Sequence, residues 1–171
     1  MGVTKKKVDK LGVELSMLGF GCMRFPTIDG KINEPLAEKM LDDAYKTGIN
    51  YFDTAHPYHD GASEPFVGKA LSKYPRDSYY LATKLPCWHV NTLDDAKKLL
   101  DLQSSRIDGN YIDFYLLHAL SAVITFGNHF HFKLGLLDGI AFTYECAESM
   151  VSAIARIAGH QEVAQIHRIV D

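Results

Sequence analysis

The sequence predicts an α/β fold built on a parallel sheet. Three observations carry this. Short apolar runs alternate with segments of helical apolar spacing, the connections between them are short and rich in Gly, Pro, Asn and Asp, and successive apolar runs end in Asp53, Lys84 and His118. Strand–helix alternation of this kind builds right-handed βαβ units. In a parallel sheet the C-terminal strand ends lie on one side, and ligands bind there.

Each element has its own local reason. Val8, Leu11, Val13 and Leu15 alternate around Lys10 and Gly12, which fits a small leading hairpin. Met17 to Phe25 reads as a short strand; Gly19 and Gly21 within it mark a bend or the close approach of another backbone or a ligand. Asp29-Gly30 is the turn of a loop from Thr27 to Lys31. Asn33 caps a first helix with Pro35 in its first turn, and Gly48 ends it. Leu36, Met40, Leu41, Ala44 and Tyr45 form its apolar face.

Asn50 to Ala55 is the second strand, and it runs into a polar loop that carries Tyr58. Ser63-Glu64-Pro65 opens a second helix, with Phe66, Val67, Ala70 and Leu71 inward and a stop at Tyr74 to Asp77. Ser78 to Leu85 is the third strand, followed by the loop Pro86 to His89. A third helix opens at Asn91 to Asp95 and runs to about Arg106, with Ala96, Leu99, Leu100 and Leu102 inward. Asp108-Gly109-Asn110 turns the chain into a fourth strand, Tyr111 to His118.

After Leu120 the pattern changes. Ser121 to Phe132 is apolar and aromatic and reads as a strand. Glu145 to Ala158 has helical spacing, with Ala147, Met150, Val151, Ile154 and Ile157 on one side and Gly159 as its cap. Gln161 to Val170 is a shorter helix.

Bulk properties exclude several classes. A net charge of -3 gives no electrostatic reason for a nucleic-acid or anionic-membrane partner. No apolar run has the length of a membrane span, and no basic–apolar–small leader opens the chain, so a cytoplasmic location is expected. Cys22, Cys87 and Cys146 are far apart, and no Cys-x-x-Cys occurs. Reduced thiols are expected, with no disulfide framework, zinc ribbon or iron–sulfur cluster. His129 and His131 share a strand face with no evident third ligand beyond His118, and no metal is expected.

Taken singly, the polar strand ends have ordinary explanations. Asp53 could cap a loop, Tyr58 could pack at the surface, Lys84 could be a solvated end charge, and His118 a satisfied histidine. Their order and spacing say more. Met17 to Phe25, Phe52-Asp53-Thr54-Ala55-x-x-Tyr58, Ala82-Thr83-Lys84 and Tyr111-Ile112-Asp113-x-Tyr115-Leu116-Leu117-His118 together resemble the aldo-keto reductase family, over about residues 10–120. Gly21-Cys22-Met23-Arg24, Pro57 to Glu64 and Leu85-Pro86-Cys87-Trp88 look most like a bacterial and archaeal branch, whose barrel is often followed by a ferredoxin-like region.

The resemblance implies a (β/α)8 TIM barrel, of which residues 1–120 would supply about the first four β/α units and 121–171 an atypical, partly helical tail packed on it. It implies reduction of a small carbonyl substrate with NADP(H) or NAD(H). The family's catalytic positions fall on Asp53, Tyr58, Lys84 and His118. Tyr58 would be the general acid. A free phenol titrates near pH ~10 and is a poor acid at neutrality, but a lysine cation beside it, held by Asp53, favours the phenolate. His118 would bond the substrate carbonyl. Gly21, Cys22, Met23 and Arg24, with Asp53, would lie at the cofactor, and Trp88 with His118 at the substrate.

A complete barrel of this type takes ~250 residues, and this sequence has 171. The Ser/Asn pair and Lys/Arg cluster that the family places on the dinucleotide have no counterpart after Leu120. The expectation is therefore a reductase that is truncated and weakly active or inactive. The alternative is a non-catalytic half-barrel acting as a binding or assembly module. A four-strand barrel fragment would leave two open sheet edges, through which copies could self-associate.

Overall fold

The computed structural model describes residues 2–107, 111–118 and 154–155. In chain order the strands are β1 (Lys5–Val8), β2 (Val13–Ser16), β3 (Phe20–Gly21), β4 (Thr27–Ile28), β5 (Lys31–Ile32), β6 (Tyr51–Asp53), β7 (Tyr80–Pro86), β8 (Phe114–His118) and β9 (Ile154–Ala155). The helices are α1 (Glu34–Thr47), α2 (Ser63–Leu71) and α3 (Leu93–Arg106). β3, β6, β7 and β8 pair in that order, all parallel. This is the sheet that the strand–helix rhythm predicts. Its register brings Gly21 beside Asp53, Asp53 beside Ala82, and Pro86 beside His118, so the strand ends expected to carry chemistry share one rim.

Two apolar clusters hold the sheet, one for each face. Side chains alternate along a strand. Phe52, Leu81, Leu85 and Tyr115 pack with Leu41, Val67, Leu71 and Ala96 of the three helices. Ala82, Phe114 and Leu116 take the other face, where Val13 of the β1–β2 hairpin packs against them. Asn50 fastens that hairpin: its Oδ1 accepts from the Ser16 N–H at 2.7 Å, and its own N–H donates to Ser16 Oγ at 3.1 Å. The hairpin thus sits against the start of β6, away from the rim formed by the strand C-termini.

The helix boundaries follow their caps. Asn33 Oδ1 accepts from Leu36 N–H, and Gly48 ends α1 at φ 104°. Thr92 and Asp95 form a reciprocal capping box at the start of α3.

Several elements differ from the sequence reading. The Met17–Phe25 strand contracts to β3, because its pairing with β6 spans only Phe20–Gly21 before Cys22 N–H closes on Asp53 O at 2.7 Å. The Thr27–Lys31 loop is a hairpin, β4–β5, whose turn residues Asp29 and Gly30 both have positive φ. That twist suits a two-residue connection. In α1 the buried positions are Ala37, Leu41 and Ala44, and Leu36 is exposed. In α3 Leu102 is exposed and Gln103 is buried, because the Gln103 amide bonds to partners inside the fold.

Ile154–Ala155, read as helix from its spacing, is a strand antiparallel to β8. It gives the backbone groups of the β8 edge a partner. Outside the described residues lie the 108–110 turn, the 121–132 strand, the rest of the 145–158 helix with its Gly159 cap, the 161–170 helix, and Cys146, His129 and His131.

Candidate active site

Three neighbouring strands and one loop build the rim. Asp53 is the last residue of β6, Lys84 lies in β7 on the face opposite the helices, and His118 ends β8. Tyr58 sits in a tight turn after β6 (Tyr58–Gly61), where His59, Asp60 and Gly61 all have positive φ. Lys84 Nζ donates to Asp53 Oδ1 at 2.5 Å, to Thr54 O at 2.8 Å and to Tyr58 Oη at 3.0 Å. All three ammonium protons therefore have acceptors, and the phenol oxygen faces a cation held in place by a carboxylate.

His118 joins the group by ring contact. Its ring stands edge-on to Tyr58 at 5.7 Å between centroids, and Trp88 leans on its other side at 5.1 Å. Burial, and then the Lys84 charge, push the imidazole below the ordinary histidine pKa, against an opposing pull from Asp53. The shift favours the neutral imidazole. Its Nδ1 is buried with no hydrogen-bond partner among the described residues. A buried N–H without an acceptor costs more than a bare lone pair, so the proton belongs on Nε2. His118 is thereby a hydrogen-bond donor at the rim.

The four positions that the sequence singled out are thus brought together. The glycine segment is only partly so. Gly21 lies beside Asp53 in register, and a Cβ on it would meet nothing within 4 Å, which leaves open space over the strand end. Met23 and Arg24 are exposed. The Cys22 side chain is fully buried in the core and reaches the rim only through its backbone. Burial pushes its thiol pKa far up, so it is no nucleophile. Trp88 is half exposed at the rim. Among the described residues no group of three or more His, Cys, Asp or Glu is disposed to hold a metal ion.

The sequence reading missed a polar layer directly behind the rim. Ser63 and Glu64, read only as a helix start, are both fully buried. Ser63 Oγ donates to Cys22 O at 3.0 Å and lies 2.9 Å from Thr54 Oγ1. Glu64 Oε1 accepts from Thr83 Oγ1 at 2.7 Å and Gln103 Nε2 at 2.6 Å, while Arg106 reaches Oε2 at 3.3 Å. One signal was available: Gln103 and Arg106 are three apart on α3 and so share a face. His59 was also passed over. Its Nε2 accepts from Phe25 N–H at 3.1 Å, tying the tyrosine turn to the segment after β3.

A parallel sheet with helices on one face thus carries a Lys–Asp–Tyr–His group at its strand C-termini, as part of an α/β barrel would. The model of the Aldo/keto reductase family matches residues 17–153, and the chain belongs to that family. The match runs on past residue 120, where the resemblance read from the motifs stops.

The Glycine max protein named "Probable aldo-keto reductase 1" is 33% identical over 130 residues, covering 69% of this chain and 37% of that protein. An aldo-keto reductase from Bacillus halodurans in its holo form superposes with a TM-score of 0.59 at 31% identity, over 72% of this chain and 43% of that one. An aldo-keto reductase from Klebsiella pneumoniae solved with NADPH superposes with a TM-score of 0.58 at 25% identity, over 70% and 41%. The chain therefore spans less than half the length of each. Among the described residues no helix is long and apolar enough to cross a membrane.

Proposed function

We propose that this chain carries the proton-delivering part of an NAD(P)H-dependent carbonyl reductase, with Tyr58 as general acid. The observation that supports this most is the 3.0 Å bond from Lys84 Nζ to the Tyr58 oxygen, with Asp53 holding the same ammonium at 2.5 Å. When Tyr58 gives its proton to a carbonyl oxygen, negative charge develops on the phenol. A fixed cation already bonded there stabilises that charge without reorganising. Positioned proton transfer of this kind contributes roughly 10²–10⁴-fold to rate.

Each neighbour has its own part. Asp53 keeps Lys84 aimed. His118 donates from Nε2 to the same carbonyl oxygen and so orients it toward Tyr58. Trp88 offers an apolar wall beside it. The Gly21–Arg24 segment and Asp53 would hold the nicotinamide end of the dinucleotide, and the open space at Gly21 fits such an approach. A reduced nicotinamide, when bound, supplies hydride to the carbonyl carbon.

The test is aldehyde-dependent loss of NADPH absorbance at high protein concentration, with Tyr58→Phe as control. Turnover that Tyr58→Phe abolishes supports the reading. If NADPH neither binds nor is oxidised while the chain stays folded, the rim is a non-catalytic half-barrel instead. Self-association through an open sheet edge, β3 or β9 among the described residues, is proposed on the same footing; sedimentation over a concentration series tests it.

A further inference from the structure

We propose that Glu64, buried behind the rim, is a positioning residue that fixes Tyr58 relative to Lys84; the inference rests on the reading of Tyr58 as the acid. A fully buried carboxylate is a poor way to gain stability, since well-packed apolar side chains serve as well or better. Its connections give it another use. Through Oε1 it grips Thr83, the residue before Lys84, and Gln103, whose amide also donates to Lys84 O at 3.1 Å. Through Oε2 it meets Arg106, which donates at 3.0 Å to Gly61 O at the end of the tyrosine turn and lies 2.9 Å from His56 Nδ1 just before it.

One anion is thus tied on one side to the strand bearing Lys84 and on the other to the loop bearing Tyr58. That loop needs an anchor. His59 and Asp60 adopt left-handed φ, which L side chains disfavour, so the turn holds its shape only if its surroundings impose it. Glutamate rather than glutamine follows from the partners: Oε1 takes two donors and Oε2 a guanidinium, an all-acceptor role that a primary amide cannot fill.

The test uses the full chain labelled with 3-fluorotyrosine, with the Tyr58 fluorine line assigned by its loss in Tyr58→Phe. Glu64→Gln is expected to displace or split the Tyr58 line. Arg106→Lys is expected to do the same, because one ammonium cannot hold Glu64 and Gly61 O together as the guanidinium fork does. Glu38→Gln, in a surface pair with Lys73, should leave the line in place. A Tyr58 line unmoved in folded Glu64→Gln, whatever its melting temperature, would overturn the inference and reduce Glu64 to a support of the fold. Should Glu64→Gln fail to fold, the milder Arg106→Lys decides in the same way. NADPH oxidation on the same samples separates the two claims. A displaced line in a chain whose wild type reduces no carbonyl leaves the positioning standing and removes the reaction.

Discussion

Two ion pairs, one at each end of the sheet, have the same N···O distance of 2.5 Å and opposite surroundings. At the N-terminal end Arg76 bonds Asp113, donates to the carbonyls of Tyr79 and Tyr111, and lies 3.9 Å over the Tyr111 ring. Asp113 also accepts from Leu81 N–H at 2.8 Å. At the C-terminal end Lys84 bonds Asp53, but its third proton goes to a phenol, and beside it stand a histidine with a bare nitrogen and a half-exposed tryptophan. The first pair is surrounded by backbone carbonyls, a backbone N–H and tyrosine rings, although Arg76 Nε, like His118 Nδ1, is buried without a hydrogen-bond partner among the described residues. The second is left facing groups that can give a proton or a hydrogen bond. What distinguishes a staple from a site is the neighbour of the pair, not its length.

Substitutions at the two ends sharpen that contrast. Arg76→Met should be the most damaging, at about 3–5 kcal/mol of stability by urea unfolding, because Asp113, almost fully buried, loses the Arg76 cation. Lys84→Met should cost less, about 1–3 kcal/mol, since the Asp53 side chain is 29% exposed and water can replace the ammonium. Carbonyl reduction should nevertheless vanish in it. If the two variants lost equal stability, the division between staple and site would fail.

Next comes Gly61→Ala. Gly61 has φ 86°, and an added Cβ would stand 2.8 Å from the Arg106 guanidinium. A cost of about 1–2 kcal/mol is expected, with the tyrosine turn loosened. Calorimetric melting checks it.

The smallest effect is electrostatic. His118 has a lowered pKa in the folded chain, so on acidification the unfolded chain takes the proton first. Its contribution is complete above the ordinary histidine range and declines as pH falls through that range toward the folded value. His118→Gln should flatten this part of a stability–pH profile, and an unchanged profile would remove the contribution assigned to its burial.

Much of the fold is legible from residue types. The caps at Asn33 and Gly48, the polar opening Asn91 to Asp95 and the apolar runs at Asn50, Ser78 and Tyr111 place α1, α3, β6, β7 and β8, because local chemistry determines them. The rim is legible because its members end strands. What the pattern hides is polar burial. Hydrophobic spacing sends Glu64, Gln103 and Ser63 outward and Leu36 and Leu102 inward, and the structure does the reverse. These side chains are buried because each finds a partner on a different element, which one segment cannot reveal. The two-residue β9 and the short extent of β3 are equally hidden, since each is set by the strand it pairs with.

The central claim is that Lys84 and Asp53 hold Tyr58 ready to release a proton to a carbonyl. The most direct measurement compares aldehyde-dependent NADPH oxidation by the wild-type chain and by Tyr58→Phe, both shown to be folded by the same melting profile. The account predicts oxidation by the wild type and a fall to background in Tyr58→Phe, with little change in melting. Equal rates in the two would contradict it, because the proton would then come from elsewhere.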